Sequence, residues 1–304
     1  MAAYVLAEPY PVWWRIYAVF GSFVPALFIL LAGMMVVYTT RHRSYQLSHF
    51  LYRAFFLVVA GAILDILIWQ TWPFLSIEVL YLIGLSLPIC HDFQKLSTHW
   101  RWLTVATIFL LTPVLQHFMG YTPSPLQLSI FQSPQQLNPL TIAQHWLIDG
   151  WFPIFPWLGF ALLGVNLGCL RLNHPNYNKA HATAIGFILL VIGSVIWWQS
   201  NTPSYIRNGF TELIYPPSLG YIITNLGMIA LYFVVVDSHL NWRGFNPLRI
   251  FGHSALLVYL LHFFCISYLI APQWQNESTE VFLLINLIFI PLMYVISYWR
   301  YKKR

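Results

Sequence analysis

The constraint that governs this chain is the spacing of its charges. Nine stretches, roughly residues 17–39, 51–70, 74–90, 102–118, 152–170, 181–199, 216–236, 250–270 and 281–299, are apolar almost throughout, and the charges gather between them. A helix needs about 20 mostly apolar residues to cross a bilayer, so each stretch reads as a transmembrane helix, the third and fifth being short. Of the 304 residues 59% are hydrophobic and 8% are charged, whereas a soluble domain carries about 25% charge. The 15 Lys+Arg and 9 Asp+Glu side chains do not suffice to coat a water-facing surface of this size. The expected fold is an all-α polytopic helical bundle forming one transmembrane domain over residues 1–304. The same arithmetic argues against a soluble enzyme, a disordered tail and a nucleic-acid binder.

Basic residues retained on the cytoplasmic side set orientation. With the N-terminus outside, the inner segments hold Arg41, Arg43, Arg53, Lys95, Arg101, Arg171, Lys179, Arg243, Arg249, Arg300, Lys302, Lys303 and Arg304, and the outer ones keep only Arg15 and Arg207. Glu8, Asp149, Glu212, Glu277 and Glu280 lean outward. The sequence thus predicts an N-out, C-in protein surrounded by membrane lipids, in the plasma membrane or, in a bacterium, the inner membrane. The longest connection, residues 119–151, is then external; it has no Lys or Arg and many Pro, Gln and Ser residues, as a spacer or a lid over a site would. The net charge of +6 forms no patch, because its basic residues stand singly or in pairs at span ends. Cys90, Cys169 and Cys265 have neither metal nor disulfide spacing. No basic segment followed by a short apolar stretch marks a cleavable signal at the N-terminus.

An ionisable side chain within the hydrocarbon costs about 2.5–3.5 kcal/mol even on the gentlest scale, so it lines a cavity or has a partner. Asp65 falls in the outer half of the second span and Glu78 at the outer start of the third, joined by a turn containing Pro73. Asp149 precedes the fifth span, and His262 lies near the middle of the eighth. Each has a plainer reading: the acids as acceptors for neighbouring helices or as shallow hydrated groups, His262 as a satisfied core residue. His145 in the external loop is a weaker candidate. No HExxH-type spacing is present, and no metal is expected. Gly159, Gly164 and Gly168 permit close helix packing. The run from Trp151 to Trp157, with Pro153 and Pro156, and the Pro216-Pro217-Ser218 segment both interrupt regular helix. Irregular backbone at membrane depth is tolerated when packed in protein or facing a watery cavity. Both interruptions fall on the outer side with Asp65, Glu78 and Asp149, so the expected site is a cavity opening outward, with Asp65, Glu78, Trp157 and Pro217 as candidate substrate-binding residues.

Several segments, in order, resemble the heparan-α-glucosaminide N-acetyltransferase-like membrane proteins, related to the wider type 3 membrane acyltransferases. Phe23 to Gly33, "FVPALFILLAG", followed by basic Arg41, Arg43 and Arg53, is similar to that family's "aPLFlflaG" helix and inner loop. Val79 to Leu85 resembles its "iLqlIGl" segment, with Tyr81 where a Gln or His is common. The most specific segment is Asp149 to Gly168, "DGWFPIFPWLGFALLGVNLG", which resembles "DyfPllPWlGyfllGialG". "YPPSLGYIITNLG" (Tyr215 to Gly227) and "GHSALLVYLLHFF" (Gly252 to Phe264) follow.

The resemblance implies transfer of an acyl group, in the first instance acetyl, from cytoplasmic acyl-CoA to a sugar amine or hydroxyl on the outer face. Such chemistry needs a base or an acyl-carrying histidine, and cations for the coenzyme A phosphates. By resemblance, Asp149 and His262 are the catalytic candidates. Arg41, Arg43 and Arg249 stand at the face where acetyl-CoA or another acyl-CoA would bind, though membrane anchoring explains them equally. The family's first helix carries an "RG" pair and a histidine; this sequence starts after that point, and Met1 to Tyr17 reads like the loop that would follow it. The expectation is therefore a chain shortened at its N-terminus, ten spans and N-in when whole. A transporter or flippase of a polar or lipid-linked molecule, and a non-catalytic remnant of the family, stay open beside the enzyme, as does a homo-oligomer.

Overall fold

In hydrocarbon every backbone N–H and C=O must be satisfied within its own segment or a closed sheet, and the apolar runs accordingly fold as helices. The computed structural model describes residues 5, 13, 20–120, 128–131, 138–174, 176–200 and 217–303, and the backbone alone of 206–207 and 210–211. Most of Met1–Tyr17 with Glu8 and Arg15, much of the 119–151 connection, Glu212, Pro216 and Arg304 lie outside the described residues.

Helix α1 (Val24–Arg43) has Pro25 in its first turn, where a missing N–H is harmless, and ends at Ser44 in a left-handed conformation. Helix α2 (Leu47–Leu64) runs on into a π-helical turn, Asp65–Trp69. Helix α3 (Val79–Phe93) returns, followed by α4 (Thr98–Met119), which stops at Gly120 with φ 78°. In the connection after α4, a short α5 (Pro139–Gln144) leads into a second π-helical turn, His145–Asp149. Then come α6 (Ile154–Asn173), α7 (Lys179–Gln199) and α8 (Leu219–Ser238). A two-residue antiparallel pairing, Ile206–Arg207 with Phe210–Thr211, lies between α7 and α8. A 3₁₀ turn at Arg243–Phe245 precedes α9 (Asn246–His253); α10 (Ala255–Cys265) continues as a π turn, Ile266–Ile270; α11 (Thr279–Lys302) completes the chain.

Seven of these helices are long and apolar enough to span a membrane. An eighth span is the pair Arg243–His253 and Ala255–Ile270, bent by 76°, and α3 is a shorter apolar helix. The protein is an all-α integral membrane protein of the multi-pass type. Each of the nine apolar runs corresponds to one of these segments. Two differ from expectation in shape. The fifth run is a full 20-residue helix, because Arg171, Leu172 and Asn173 extend it past the apolar stretch. The eighth is broken rather than straight, because Ser254 leaves helical geometry (φ −120°, ψ 16°) at the junction of α9 and α10.

The chain forms two compact units, Ala18–Val234 and a second made of Val235–Arg304 with Met1–Tyr17. In the first, α6 is central and buried on nearly every side. Its Gly164 lies so close to α1 that an added Cβ would strike the Leu30 carbonyl, and a Cβ on Gly33 would strike that of Ala161. The opposite face of α6 meets α4: a Cβ on Gly159 would lie 2.6 Å from the Phe109 ring. The pair α7 and α8 use the same device, with Gly193 against Thr224 and Gly220 against Trp197. Helix α8 is tied to the start of α1 where the Tyr221 hydroxyl donates to the Ser22 carbonyl at 2.7 Å. In the second unit, Ile266, Ile270 and Phe282 pack with Val5, and Phe251 of α9 meets Tyr294 of α11 edge to face at 5.8 Å.

Overpacking a tight contact costs about 1–3 kcal/mol or more. Gly164→Leu is therefore expected to abolish monodisperse protein on size exclusion, and Gly164→Ala to lower the melting temperature by several degrees. Gly252→Ala, at a position with nothing within 4 Å of an added Cβ, is the matched control and should leave the melt unchanged.

Candidate active site

Two π-helical turns build the acid-bearing end of the first unit. A π turn carries one extra residue and re-aims the side chains at a helix end, a device frequent at functional sites. At the end of α2 it turns Asp65 inward, leaving it 5% exposed. The Asp65 carboxylate accepts a hydrogen bond from the hydroxyl of Tyr81, itself fully buried in the first turn of α3. Gly61 makes room for that ring: a Cβ there would lie 2.9 Å from Tyr81 Cε1. The other face of Tyr81 stacks on Trp146 (6.0 Å, 25° between planes), and Trp146 Nε1 donates to the Phe74 carbonyl at 2.8 Å.

The second π turn holds Trp146 and also closes an ion-pair contact between His145 Nδ1 and Asp149 Oδ1. Both are buried, at 4% and 0% exposure. Gly150 follows, its N–H donating to the His145 carbonyl at 2.8 Å; a Cβ at Gly150 would strike that same carbonyl. Phe152 N–H then donates to the Ile77 carbonyl at 2.9 Å, and Trp151 N–H to Ser76 Oγ at 3.3 Å. These bonds fasten the His145–Asp149 turn to the strand of chain that enters α3. The result is one contiguous group: Asp65, Tyr81, Trp146, His145 and Asp149.

The other residues singled out in the sequence are not members of this group. Glu78 caps α3, its carboxylate accepting from Val79 N–H at 3.3 Å, so it shares the site's end and starts the helix that carries Tyr81. Trp157 is fully buried, with its ring against Phe152, Phe160 and Tyr221, and its Nε1 has no hydrogen-bond partner among the described residues. Pro217 is buried at the entry to α8, and its carbonyl accepts from Gln116 Nε2 at 3.4 Å. Arg41 and Arg43 are exposed at the opposite end of α1, Arg43 donating to the Tyr45 hydroxyl at 3.3 Å. Arg249 and His262 belong to the second unit. Arg249 is exposed and donates to the Leu240 carbonyl. His262 is half-buried, its Nδ1 3.2 Å from the Val258 carbonyl and its ring against Tyr259 and Phe263. A carbonyl only accepts, so in the neutral ring Nδ1 is the donor and Nε2 carries the lone pair.

The family described as heparan-alpha-glucosaminide N-acetyltransferase, catalytic, matches residues 3–203 of this sequence, about two thirds of it. The chain belongs to this family. It is thus a membrane protein of an acetyltransferase family, and the matched part contains all five members of the Asp65–Asp149 group. Pro217, Arg249 and His262 lie beyond the match. No curated protein matches the sequence.

Two members of the group are stronger in the structure than in the sequence. His145 reads as a loop histidine, yet its i,i+4 spacing to Asp149 would place both on one face of any helical turn. Tyr81 stands where the acetyltransferase family often has Gln or His, a polar position in an otherwise apolar helix. Its partner is 16 residues earlier, beyond the reach of a local pattern.

Removing one partner of a buried hydrogen bond costs about 1–3 kcal/mol through the group left unsatisfied, whereas replacing both partners costs less. Tyr81→Phe should therefore lower the melting temperature, and adding Asp65→Leu should recover part of the loss. Additive losses in that double-mutant cycle would contradict the Tyr81–Asp65 bond.

Proposed function

We propose that this protein moves an acetyl group from acetyl-CoA, bound at the end of the bundle rich in Lys and Arg, to an amine or hydroxyl of a sugar or glycan at the acid-bearing end. The observation that carries the reading is the buried His145–Asp149 contact, which lies inside the family match. The division of charge supports the two faces: 13 of the 15 Lys and Arg fall on the side assigned to the cytoplasm, with the N-terminus outside.

In this reading Asp149 holds the His145 ring by Nδ1, leaving Nε2 to take the acceptor's proton, and steadies the imidazolium that results. The acceptor nitrogen or oxygen attacks the thioester carbonyl; the new C–N or C–O bond forms as the C–S bond breaks. The thiolate leaves with the electron pair and receives the proton. The stacked pair of Tyr81 and Trp146 is the aromatic surface assigned to the acceptor, with Trp157 a further candidate, and Asp65 and Glu78 offer acceptors for its hydroxyls. His262, with Nε2 carrying the lone pair, is the second candidate for base or transient acyl carrier. Arg41 and Arg43 are the exposed cations of the first unit assigned to the donor's phosphates, and Arg249 is the separate candidate in the second unit.

General base catalysis contributes about 10²–10⁴-fold. His145→Gln and Asp149→Asn should each lower kcat within that range in an acetyl-CoA transfer assay while leaving the KM for acetyl-CoA within twofold. His262→Ala decides between the two histidines: transfer within twofold of wild type leaves His145 as the base, and abolished transfer with monodisperse protein retained assigns that role to His262. A selective loss of acetyl-CoA affinity in Asp149→Asn would overturn the assignment of faces. Absence of transfer and of acyl-CoA hydrolysis, with stabilisation by a glycan, would favour a transporter in place of the enzyme.

A further inference from the structure

At the end of the first unit opposite His145 and Asp149, two buried side chains hold polar atoms that make no hydrogen bond among the described residues. Arg101 is 7% exposed. Its Nη2 donates to Thr98 Oγ1 at 3.1 Å, but Nε and Nη1 have no hydrogen-bond partner among the described residues. None of the ion pairs among the described residues involves it. Asn166 is 3% exposed, and among the described residues neither its amide oxygen nor its amide nitrogen has a partner. A buried guanidinium without a counter-charge, and a buried amide without hydrogen bonds, are each destabilising. Their presence together calls for a reason outside the fold.

Helix geometry puts the two at one level and on facing surfaces. Arg101 ends the buried stripe of α4, Arg101–Val105–Phe109–Thr112, and α4 packs on α6 where Phe109 meets Phe160 at 5.1 Å and covers Gly159. Asn166 is seven residues beyond Gly159, two turns along the same face, and opposite the face that Gly164 presents to α1. From the Phe109–Phe160 contact, Asn166 lies about 9 Å and Arg101 about 12 Å along antiparallel helices, at 1.5 Å per residue. Both therefore stand at one depth between α4 and α6, Arg101 only one turn inside the start of its helix.

We infer that Arg101 and Asn166 form an internal phosphate-binding site for the diphosphate of the acyl-CoA donor. The inference rests on the acetyltransferase reading above and adds to it a site that the exposed Arg41, Arg43 and Arg249 do not provide. A guanidinium fork binds two phosphate oxygens at once, and the Asn166 amide supplies a further donor. Burial is what separates this site from the anchoring cations: an exposed arginine is satisfied by water, whereas Arg101 gains its missing counter-charge only from a bound anion.

The experiment uses the full chain in phosphatidylcholine nanodiscs, with thermal shift and titration against CoA, pantetheine and inorganic pyrophosphate. Wild type is expected to bind CoA at least tenfold more tightly than pantetheine, and to be stabilised by pyrophosphate. Arg101→Gln should weaken CoA at least tenfold and leave pantetheine unchanged. Asn166→Asp keeps the result interpretable if Arg101→Gln misfolds: its carboxylate supplies Arg101 with an internal partner, so the melting temperature should rise while CoA binding weakens at least tenfold. Folded variants that bind CoA within twofold of wild type would overturn the site and leave the acetyltransferase reading standing. Pyrophosphate binding that depends on Arg101, without CoA binding, would keep the anion site and remove the acyl-CoA reading. Stabilisation by phosphatidylglycerol that is lost in the variants, with CoA binding retained, would reassign the site to a lipid phosphate. A wild type that answers to none of the probes would overturn both.

Discussion

The backbone contact between α1 and α6 is the constraint on which the first unit depends. Within lipid there is no hydrophobic drive to bring helices together, so close van der Waals approach between small residues does that work. Gly33 and Gly164 let the two backbones touch where any Cβ would collide with a carbonyl. That contact occupies one side of α6 and turns the other toward α4, with Gly159, Leu163 and Asn166 on it. It also explains why α6 is buried nearly all round although its composition differs little from that of its neighbours. With α6 fixed, the segment before it can lie only against the entry to α3, and the Phe152–Ile77 and Trp151–Ser76 bonds follow.

Around this fixed helix, the irregular backbone has a consistent purpose. Both π turns of the first unit sit at the same end, at the close of α2 and just before α6, and each brings a carboxylate out of solvent: Asp65 and Asp149. A regular helical ending would leave such residues where water solvates them cheaply. Each acid instead has a specific partner, Tyr81 or His145, as burial of a charge demands. The stacking of Tyr81 on Trp146 couples the two pairs into one surface.

How much of this could be read from the sequence depended on whether the determining signal was local. Span number and helix class are local: a run of about 20 apolar residues has one outcome in a bilayer, and the nine runs all appear as helical segments. The interruption at Pro153 and Pro156 was equally readable, because each proline removes a donor, and α6 indeed begins only at Ile154 with Phe155 outside helical geometry. The 76° break before α10 was not readable. Ser254, where the chain leaves helical geometry, carries no strong breaker signal. Within the site, Asp65, Glu78 and Asp149 stood out because a charge in an apolar context is conspicuous. Their partners did not, since Tyr81 and His145 are ordinary residues until folding sets them beside an acid. Arg101 was concealed for the opposite reason: near a span end, a basic residue matches the pattern of an anchor, and only its burial distinguishes it.

The placement of polar side chains along α6 bears on how a group could cross such a bundle. The helix begins just after the His145–Asp149 contact and carries Trp157 one turn in, and Asn166 lies nine residues further, about 14 Å along the axis at 1.5 Å per residue. Between the start of the helix and Asn166, its face toward α4 carries Gly159, Phe160 and Leu163, while Trp157 lies on the opposite side with its ring on Tyr221. A long donor with a charged head and a neutral arm matches that order, the head held by fixed cations where desolvation is compensated and the arm running along apolar surface. The thioester would then arrive where the acids are, without any charge traversing the apolar interval. In this view the rigid α1–α6 contact is also a functional requirement, because the distance between the His145–Asp149 contact and Asn166 is set by one helix.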